Sequence, residues 1–404
     1  MAKILFFNIP AHGHVNPTLP VVTELARRGH QLVYYNADTF EHAIKATGAE
    51  FRGYPNSSTF EAELAERIHN LVSVSVLMLE ESIRLLPFSL DEIEREQPDL
   101  VIFDSLALWG MQAARLKNVL SAGSISLFIL DGVRGIFKWR DFPHMFRQAL
   151  PKLSALGRLR RQLVKIYGPG VFPGNSIFPC TGDFNILYTS REFQPDTSFI
   201  DDSFHFVGPA ILATTRTETD FPWAVLDPER TKIYLSLGTL YNANIEFYRT
   251  VFKAFSDHPA QFILSVGRLT DIHDLGPIPD NFIIQSSVPQ LELLQKVDLF
   301  ITHGGMNSVN ESLNYAVPLV IVPQQIEQAF NGRLVARQGA GIVVADSPPY
   351  GKLKAGVLRR SVDKVLVDPS YRLNAERLGR SFHKAGGYQR AATVITSYLG
   401  KSEL

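Results

Sequence analysis

The sequence predicts an α/β protein built from two doubly wound parallel sheets, and three observations lead there. The chain has 404 residues, more than one hydrophobic core usually supports, so two domains are expected. Its short apolar runs are continuous and do not alternate with polar residues, the pattern of strands covered on both faces. Between the runs lie segments of helical period, long enough for right-handed crossovers.

In chain order, the apolar runs fall at residues 3–9, 31–36, 99–104, 184–188, 232–237, 261–266, 281–285, 298–302 and 318–322, each bounded by turn residues. Helical period marks residues 19–28, 60–84, 107–115 and 247–256. A boundary is read at residues 207–230, where Gly208-Pro209 ends a strand and a polar run leads through Pro222 and Pro228 into a fresh one. The expected organisation is a first domain at 1–210, a linker at 211–229, a second domain at 230–385, and a C-terminal helix at 386–404 packing back on the first domain. Residues 130–173 are rich in aromatic and basic side chains and show neither period clearly.

Hydrophobic residues make up 45% of the chain and charged residues 20%, the composition of a packed globular protein. Forty basic residues balance forty acidic ones, so no overall field draws the chain to nucleic acid or an anionic membrane, and any phosphate must be held locally. Cys180 is the only cysteine, which excludes an intrachain disulfide. The N-terminus reads as a first strand, and no run reaches the roughly 18–20 apolar residues of a membrane span. A cytoplasmic protein without stable membrane insertion is expected; oligomeric state is not readable.

Two stretches carry chemistry. The strand ending at Thr302 runs into His303-Gly304-Gly305-Met306-Asn307-Ser308-Val309-Asn310-Glu311, a glycine turn followed by a helix start. Such a turn lets backbone approach a ligand, and exposed first-turn amides favour an anion such as phosphate. The tetrapeptide Ser308 to Glu311 also reads as a capping box, which only satisfies backbone donors. Ser236-Leu237-Gly238-Thr239 follows the first strand of the same half and offers a hydroxyl and a flexible amide at the equivalent sheet edge. The dinucleotide fingerprint G-x-G-x-x-G is absent after the first strand of either half, which argues against a nicotinamide enzyme. In the N-terminal half, the first strand enters Pro10-Ala11-His12-Gly13-His14-Val15-Asn16-Pro17, read with Asn16 as helix N-cap and Pro17 at the first helical position. Asp104 ends another apolar strand, placed either to orient an imidazole or to cap the following helix. No third ligand accompanies the two histidines, so no metal site is read.

Val288-Pro289-Gln290, the stretch from His303 to Glu311, Val317-Pro318, and Pro323 to Gln328 followed by Asn331 resemble the donor-binding signature of family 1 glycosyltransferases, particularly bacterial macrolide-type and flavonoid-type members. The resemblance implies the GT-B fold, two Rossmann-like domains facing each other across a cleft, with the nucleotide sugar in the C-terminal one and the acceptor in the N-terminal one. It implies that Thr239, His303, Asn307 and Ser308 contact the diphosphate, with Ser236, Gly238, Val288, Gln290 and Gly305 in the same donor site. Glu311 would hold the ribose hydroxyls, and Glu327 and Gln328 the sugar hydroxyls. His14, in a G-H-x-x-P pattern, would be the general base and Asp104 its orienting partner. Ser287 and Met306 stand where plant relatives carry tryptophans, and Glu327 replaces their usual aspartate, so donor base and sugar are less determined than the class. The expectation is an inverting, metal-independent hexosyltransferase using UDP-glucose, or a dTDP-sugar, with no cofactor. Its acceptor would be a small flavonoid, polyphenol or macrolide, met by His12, Trp109, Phe128 and Trp139. A lipid-acceptor transferase at a membrane surface, an epimerase and a nucleotide-sugar sensor are the alternatives.

Overall fold

A computed structural model describes the chain except residues 68–70, 131–137, 139–141, 173–177, 217–218, 239–243, 349 and 402–404. The chain divides into two compact units. The first comprises, of the described residues, those in 1–130, 142–216 and 385–401; the second comprises those in 219–384 with Lys138.

In the first unit, seven parallel strands run β1 (Lys3–Phe7), β2 (Gln31–Asn36), β3 (Glu50–Gly53), β4 (Leu100–Asp104), β5 (Ser121–Ile125), β6 (Phe184–Leu187) and β7 (Phe204–Phe206). Their spatial order is β3-β2-β1-β4-β5-β6-β7, so the sheet winds outward in both directions from β1 and β4. The apolar runs are continuous because both faces are covered. Leu5, Phe7, Val33, Tyr35, Val101 and Phe103 belong to one core cluster with the helix Leu71–Glu96, while Ile4, Phe6, Leu32, Tyr34, Leu100 and Ile102 belong to another with the helix Leu19–Arg27. The helix Gly387–Lys401 adds Ala391, Val394 and Ile395 to that second cluster. Tyr398 stacks on Phe184 at 4.0 Å, and the Gly387 amide donates to the Val207 carbonyl.

In the second unit, six parallel strands, β8 (Lys232–Ser236), β9 (Gln261–Ser265), β10 (Phe282–Gln285), β11 (Leu299–Thr302), β12 (Leu319–Ile321) and β13 (Gly341–Val343), take the order β10-β9-β8-β11-β12-β13. The helices Ile245–Phe255 and Ala355–Val367 cover one face with Phe252, Phe255, Leu358 and Val362.

Four strands carry too little apolar signal to be read from sequence. β5 is Ser-Ala-Gly-Ser-Ile, and a Cβ on its Gly123 would stand 2.5 Å from Asn185 Oδ1, so close strand contact selects small residues there. β3, β7 and β13 are outer strands of three or four residues. The expected helix over 60–84 is two helices, Ser57–Arg67 and Leu71–Glu96, the second continuing through Pro87. Stretch 130–173, unplaced by its periodicity, contains the helices Phe142–Ala149 and Leu153–Tyr167.

Glu81, on the helix Leu71–Glu96, is buried, and its carboxyl is pushed up to about 7 chiefly by that burial. Arg84 opposes the shift, while Glu63 and Glu80 add to it. A carboxyl raised on folding supports the native state below its unfolded pKa and loses that support as pH rises through about 7. Glu81→Gln is therefore expected to leave stability nearly unchanged at pH 5. At pH 9 it should raise stability by about 2–3 kcal/mol, read from denaturant midpoints at the two pH values.

Candidate active site

β1 and β4 are register neighbours, with Phe7 opposite Phe103, so the segments leaving their carboxyl ends start side by side. From β1 the chain enters a one-turn helix, His12–Val15, that carries His14; from β4 it reaches Asp104 at once. His14 Nδ1 lies 2.8 Å from Asp104 Oδ2. A carboxylate only accepts, so Nδ1 carries the proton and basicity is left to Nε2. The other Asp104 oxygen accepts from the Leu106 amide at 2.8 Å, which fixes the carboxylate plane. Beneath this pair, the Asn8 amide donates to the His14 carbonyl and to the Tyr34 hydroxyl, anchoring the turn that presents the imidazole.

Two local readings need correction. The helix after this turn is Leu19–Arg27 with Thr18 as N-cap and Pro20 in its first turn, and Asn16 ends the preceding short helix. The Thr18 hydroxyl donates to the Val15 carbonyl and meets the Tyr34 hydroxyl, bonds that hold the chain back from starting the helix at Pro17. Asp104 is no N-cap either: Ala107 precedes the helix Leu108–Leu116, and both Asp104 oxygens are engaged elsewhere. Sequence reasoning missed Ser126, whose hydroxyl lies 3.0 Å from His14 Nδ1 just past the end of β5. Its signal was a polar residue following a strand of the same sheet edge, hidden because β5 itself was unread.

The second unit repeats this edge geometry. Ser236 and Thr302 are register partners at the ends of β8 and β11. His303 lies between the turns that follow: a Cβ at Gly238, whose φ is +78°, would stand 2.6 Å from its Cε1, and one at Gly305 would stand 2.5 Å from its Nε2. Only glycine at both positions admits the imidazole. Burial holds His303 down at about 4 against the upward pull of a backbone hydrogen bond with Ser236, so the ring is neutral near pH 7. Gly305 caps the helix Met306–Asn314, and Val309 is the first amide to return to it, at 3.0 Å. Met306, Asn307 and Ser308 form the first turn, whose amides make up the positive end of the helix dipole. Ser308 is thus the third helical residue and not an N-cap, and the capping-box reading falls.

Glu311 is buried on the same helix and accepts from Gln290 Nε2 at 2.5 Å, while Gln290 Oε1 accepts from the Tyr234 hydroxyl at 3.0 Å. The carboxylate only accepts, so it fixes the NH2 end of the Gln290 amide toward itself, and Tyr234, absent from the sequence reading, donates to the oxygen left over. Val288 is buried just before the helix Gln290–Leu293. Glu327 and Gln328 open the helix Ile326–Arg337. Asn331 donates to Glu327 Oε1 at 3.0 Å and to the Gly304 carbonyl at 2.9 Å, joining this helix to the glycine turn. Gln328 accepts from the Gln324 amide at 2.8 Å.

The expected acceptor wall does not form as read. Trp109 is fully buried, its Nε1 donating to the Tyr54 hydroxyl and its ring meeting Tyr54 and Phe60 edge-on, so it is a core residue. Phe128 is partly buried beside Phe193, and His12 is exposed with its ring against Phe40. Trp139 and Thr239 lie outside the described residues. Among the described residues no cluster of three His, Cys, Asp or Glu is arranged to hold a metal, and no helix is long and apolar enough to cross a membrane.

Comparison with known proteins matches this architecture. The chain belongs to the family 1 glycosyltransferases, which have the GT-B fold. The description erythromycin biosynthesis protein CIII-like, C-terminal domain, matches residues 251–384. NDP-glycosyltransferase YjiC of Bacillus subtilis is 34% identical over 402 residues, 99% of this chain and 98% of that protein. The uncharacterized UDP-glucosyltransferase YojK of the same organism is 30% identical, covering 98% of this chain and 97% of its own. The crystal structure of CalG4, the calicheamicin glycosyltransferase, is similar at a TM-score of 0.80 and 27% identity, covering 99% of this chain and 98% of that one.

Gly238→Ala is expected to cost about 1–3 kcal/mol through the positive φ and the displaced imidazole, visible as a lowered denaturation midpoint and a moved His303 ring resonance. A histidine held neutral supports the fold above its unfolded pKa of about 6.5 and withdraws that support as pH falls through about 4. In His303→Gln the loss of stability between these pH values should be smaller, by up to about 3 kcal/mol, in parallel thermal scans.

Proposed function

We propose that the chain transfers a hexose from a nucleoside diphosphate sugar to a hydroxyl of a small hydrophobic acceptor, with inversion and without a metal. The observation that carries this reading is the 2.8 Å contact of His14 Nδ1 with buried Asp104. An alcohol becomes a competent nucleophile as its proton leaves, and an imidazole with its other nitrogen tied to a carboxylate is suited to take it. In the proposed step, Nε2 of His14 accepts the acceptor proton while the acceptor oxygen bonds to the anomeric carbon. The bond from that carbon to the diphosphate oxygen breaks, and the diphosphate leaves with the electron pair from the opposite face. Asp104 stabilises the resulting imidazolium.

Charge growing on the leaving diphosphate calls for donors already in place. The first turn of the helix Met306–Asn314, His303 and Thr239 are proposed to supply them, with Ser236, Gly238 and Gly305 shaping the turns. Glu311, oriented by Gln290, is the proposed ribose ligand. Glu327 and Gln328 are proposed to take the sugar hydroxyls; a carboxylate accepts from two adjacent hydroxyls at once. UDP-glucose is the proposed donor, in keeping with the naming of YojK as a UDP-glucosyltransferase, and a natural-product acceptor agrees with the naming of CalG4 as the calicheamicin glycosyltransferase.

Mass spectrometry of products formed with EDTA present, from UDP-glucose or dTDP-glucose and a panel of flavonoid, macrolide and phenolic acceptors, tests the reading. A gain of one hexose is expected, larger with UDP-glucose. His14→Ala should lower turnover by about 10²- to 10⁴-fold with little change in nucleotide affinity; unaltered turnover removes His14 from the mechanism. Glu311→Ala is expected to weaken UDP binding by about tenfold or more in calorimetry, and equal affinity would free Glu311 from the ribose role.

A further inference from the structure

The first unit carries a surface outside the residues given a role in the transfer chemistry. Of the fourteen exposed large hydrophobic residues among those described, five fall within residues 142–167. Phe142, Phe146, Leu150 and Leu153 follow one another at spacings of four, four and three, with Phe146 64%, Leu150 57% and Leu153 51% exposed. Scattered exposed apolar residues are ordinary; four in close succession, from the helix Phe142–Ala149 through the 3-10 turn Leu150–Lys152 to the start of the helix Leu153–Tyr167, are not. The same 26 residues contain six Lys and Arg and no Asp or Glu, in a chain of zero net charge, which leaves the remainder acidic.

The packing accounts for the orientation. Leu159 and Leu163 of the helix Leu153–Tyr167 are buried in the core cluster of the helix Leu71–Glu96, and Lys152 Nζ donates to Ser73 Oγ at 2.6 Å on that helix. The opposite side of Leu153–Tyr167 therefore faces outward, and along it Arg158, Arg161 and Lys165 are all exposed at a helical repeat. Exposed apolar residues are thus followed along the chain by exposed basic ones. A nucleic acid would use the basic residues and leave Phe146 and Leu150 in water. A bilayer with anionic headgroups accommodates both, apolar side chains at the acyl boundary and cations at the phosphates.

We infer that residues 142–167 form a docking surface for an anionic lipid bilayer, by which the protein associates reversibly with a membrane. The attachment is independent of the proposed transfer reaction. It also adds a local device to a chain whose overall charge supplies no attraction.

Co-sedimentation of the full chain with vesicles of phosphatidylcholine alone, or of phosphatidylcholine with phosphatidylglycerol, tests this. Binding to the phosphatidylglycerol vesicles is expected to be about tenfold stronger and to fall steeply with added salt. Phe146→Ser with Leu150→Ser should abolish it. Arg158→Glu with Arg161→Glu, at exposed positions that leave the core intact, should weaken it by about tenfold or more. Circular dichroism confirms folding of both variants. Absence of binding to either vesicle, or equal binding to both that ignores the charge reversal, overturns the inference. So does sedimentation velocity in which the serine variant converts a dimer to a monomer, since the apolar residues then form a self-association face.

Discussion

A central parallel strand covered on both faces has little room for a polar side chain along its length, because each buried polar group needs a partner of its own. Polar chemistry is pushed to the strand ends. Both sheets obey this: β1, β4, β8 and β11 are apolar inside, and Asn8, Asp104, Ser236 and Thr302 appear where they stop. Every residue given a chemical role here lies at a carboxyl edge or on the first turns beyond it, and the register of the central strands sets which of these residues become neighbours.

The two edges solve different electrostatic problems. In the first unit a buried carboxylate is tolerated because each of its oxygens accepts a hydrogen bond, one from His14 and one from the Leu106 amide. In the second, an imidazole enclosed between two glycine turns is kept neutral by burial, so the site presents donors without a fixed charge. Glu81, far from either edge in sequence, titrates in the opposite sense: it loses its neutral form as pH rises, while His303 loses its neutral form as pH falls. Native stability is squeezed from both sides by groups that burial chiefly has shifted.

Much of this was legible in the residues. The central strands announced themselves because both faces demand apolar side chains, and His303 to Glu311 because glycines before a helix start have few other uses. What misled was local grammar. Ser308 to Glu311 has the form of a capping box and Asn16-Pro17 that of a helix start, yet the helices begin at Met306 and Leu19. Each boundary was set by longer contacts, the glycine packing around His303 in one case and the bonds of Thr18 to Tyr34 in the other. Trp109 was read toward a pocket because an aromatic residue looks alike on either side of a helix; its neighbours Tyr54 and Phe60 come from distant sequence and place it in the core.

The sequence by itself determined the α/β class, the paired parallel sheets and the residues carried to their edges, since these follow from burial on two faces and from backbone freedom at glycine. Only the tertiary structure decided which of those residues touch. His14 meets Asp104 across 90 positions of sequence, and Ser126 joins them from 112 positions away. Gln290 is held between Glu311, whose carboxylate takes its NH2 end, and the strand residue Tyr234, whose hydroxyl donates to its oxygen. Spacing along a chain carries no information on such contacts; strand order and register do, because they fix which strand ends lie about 5 Å apart.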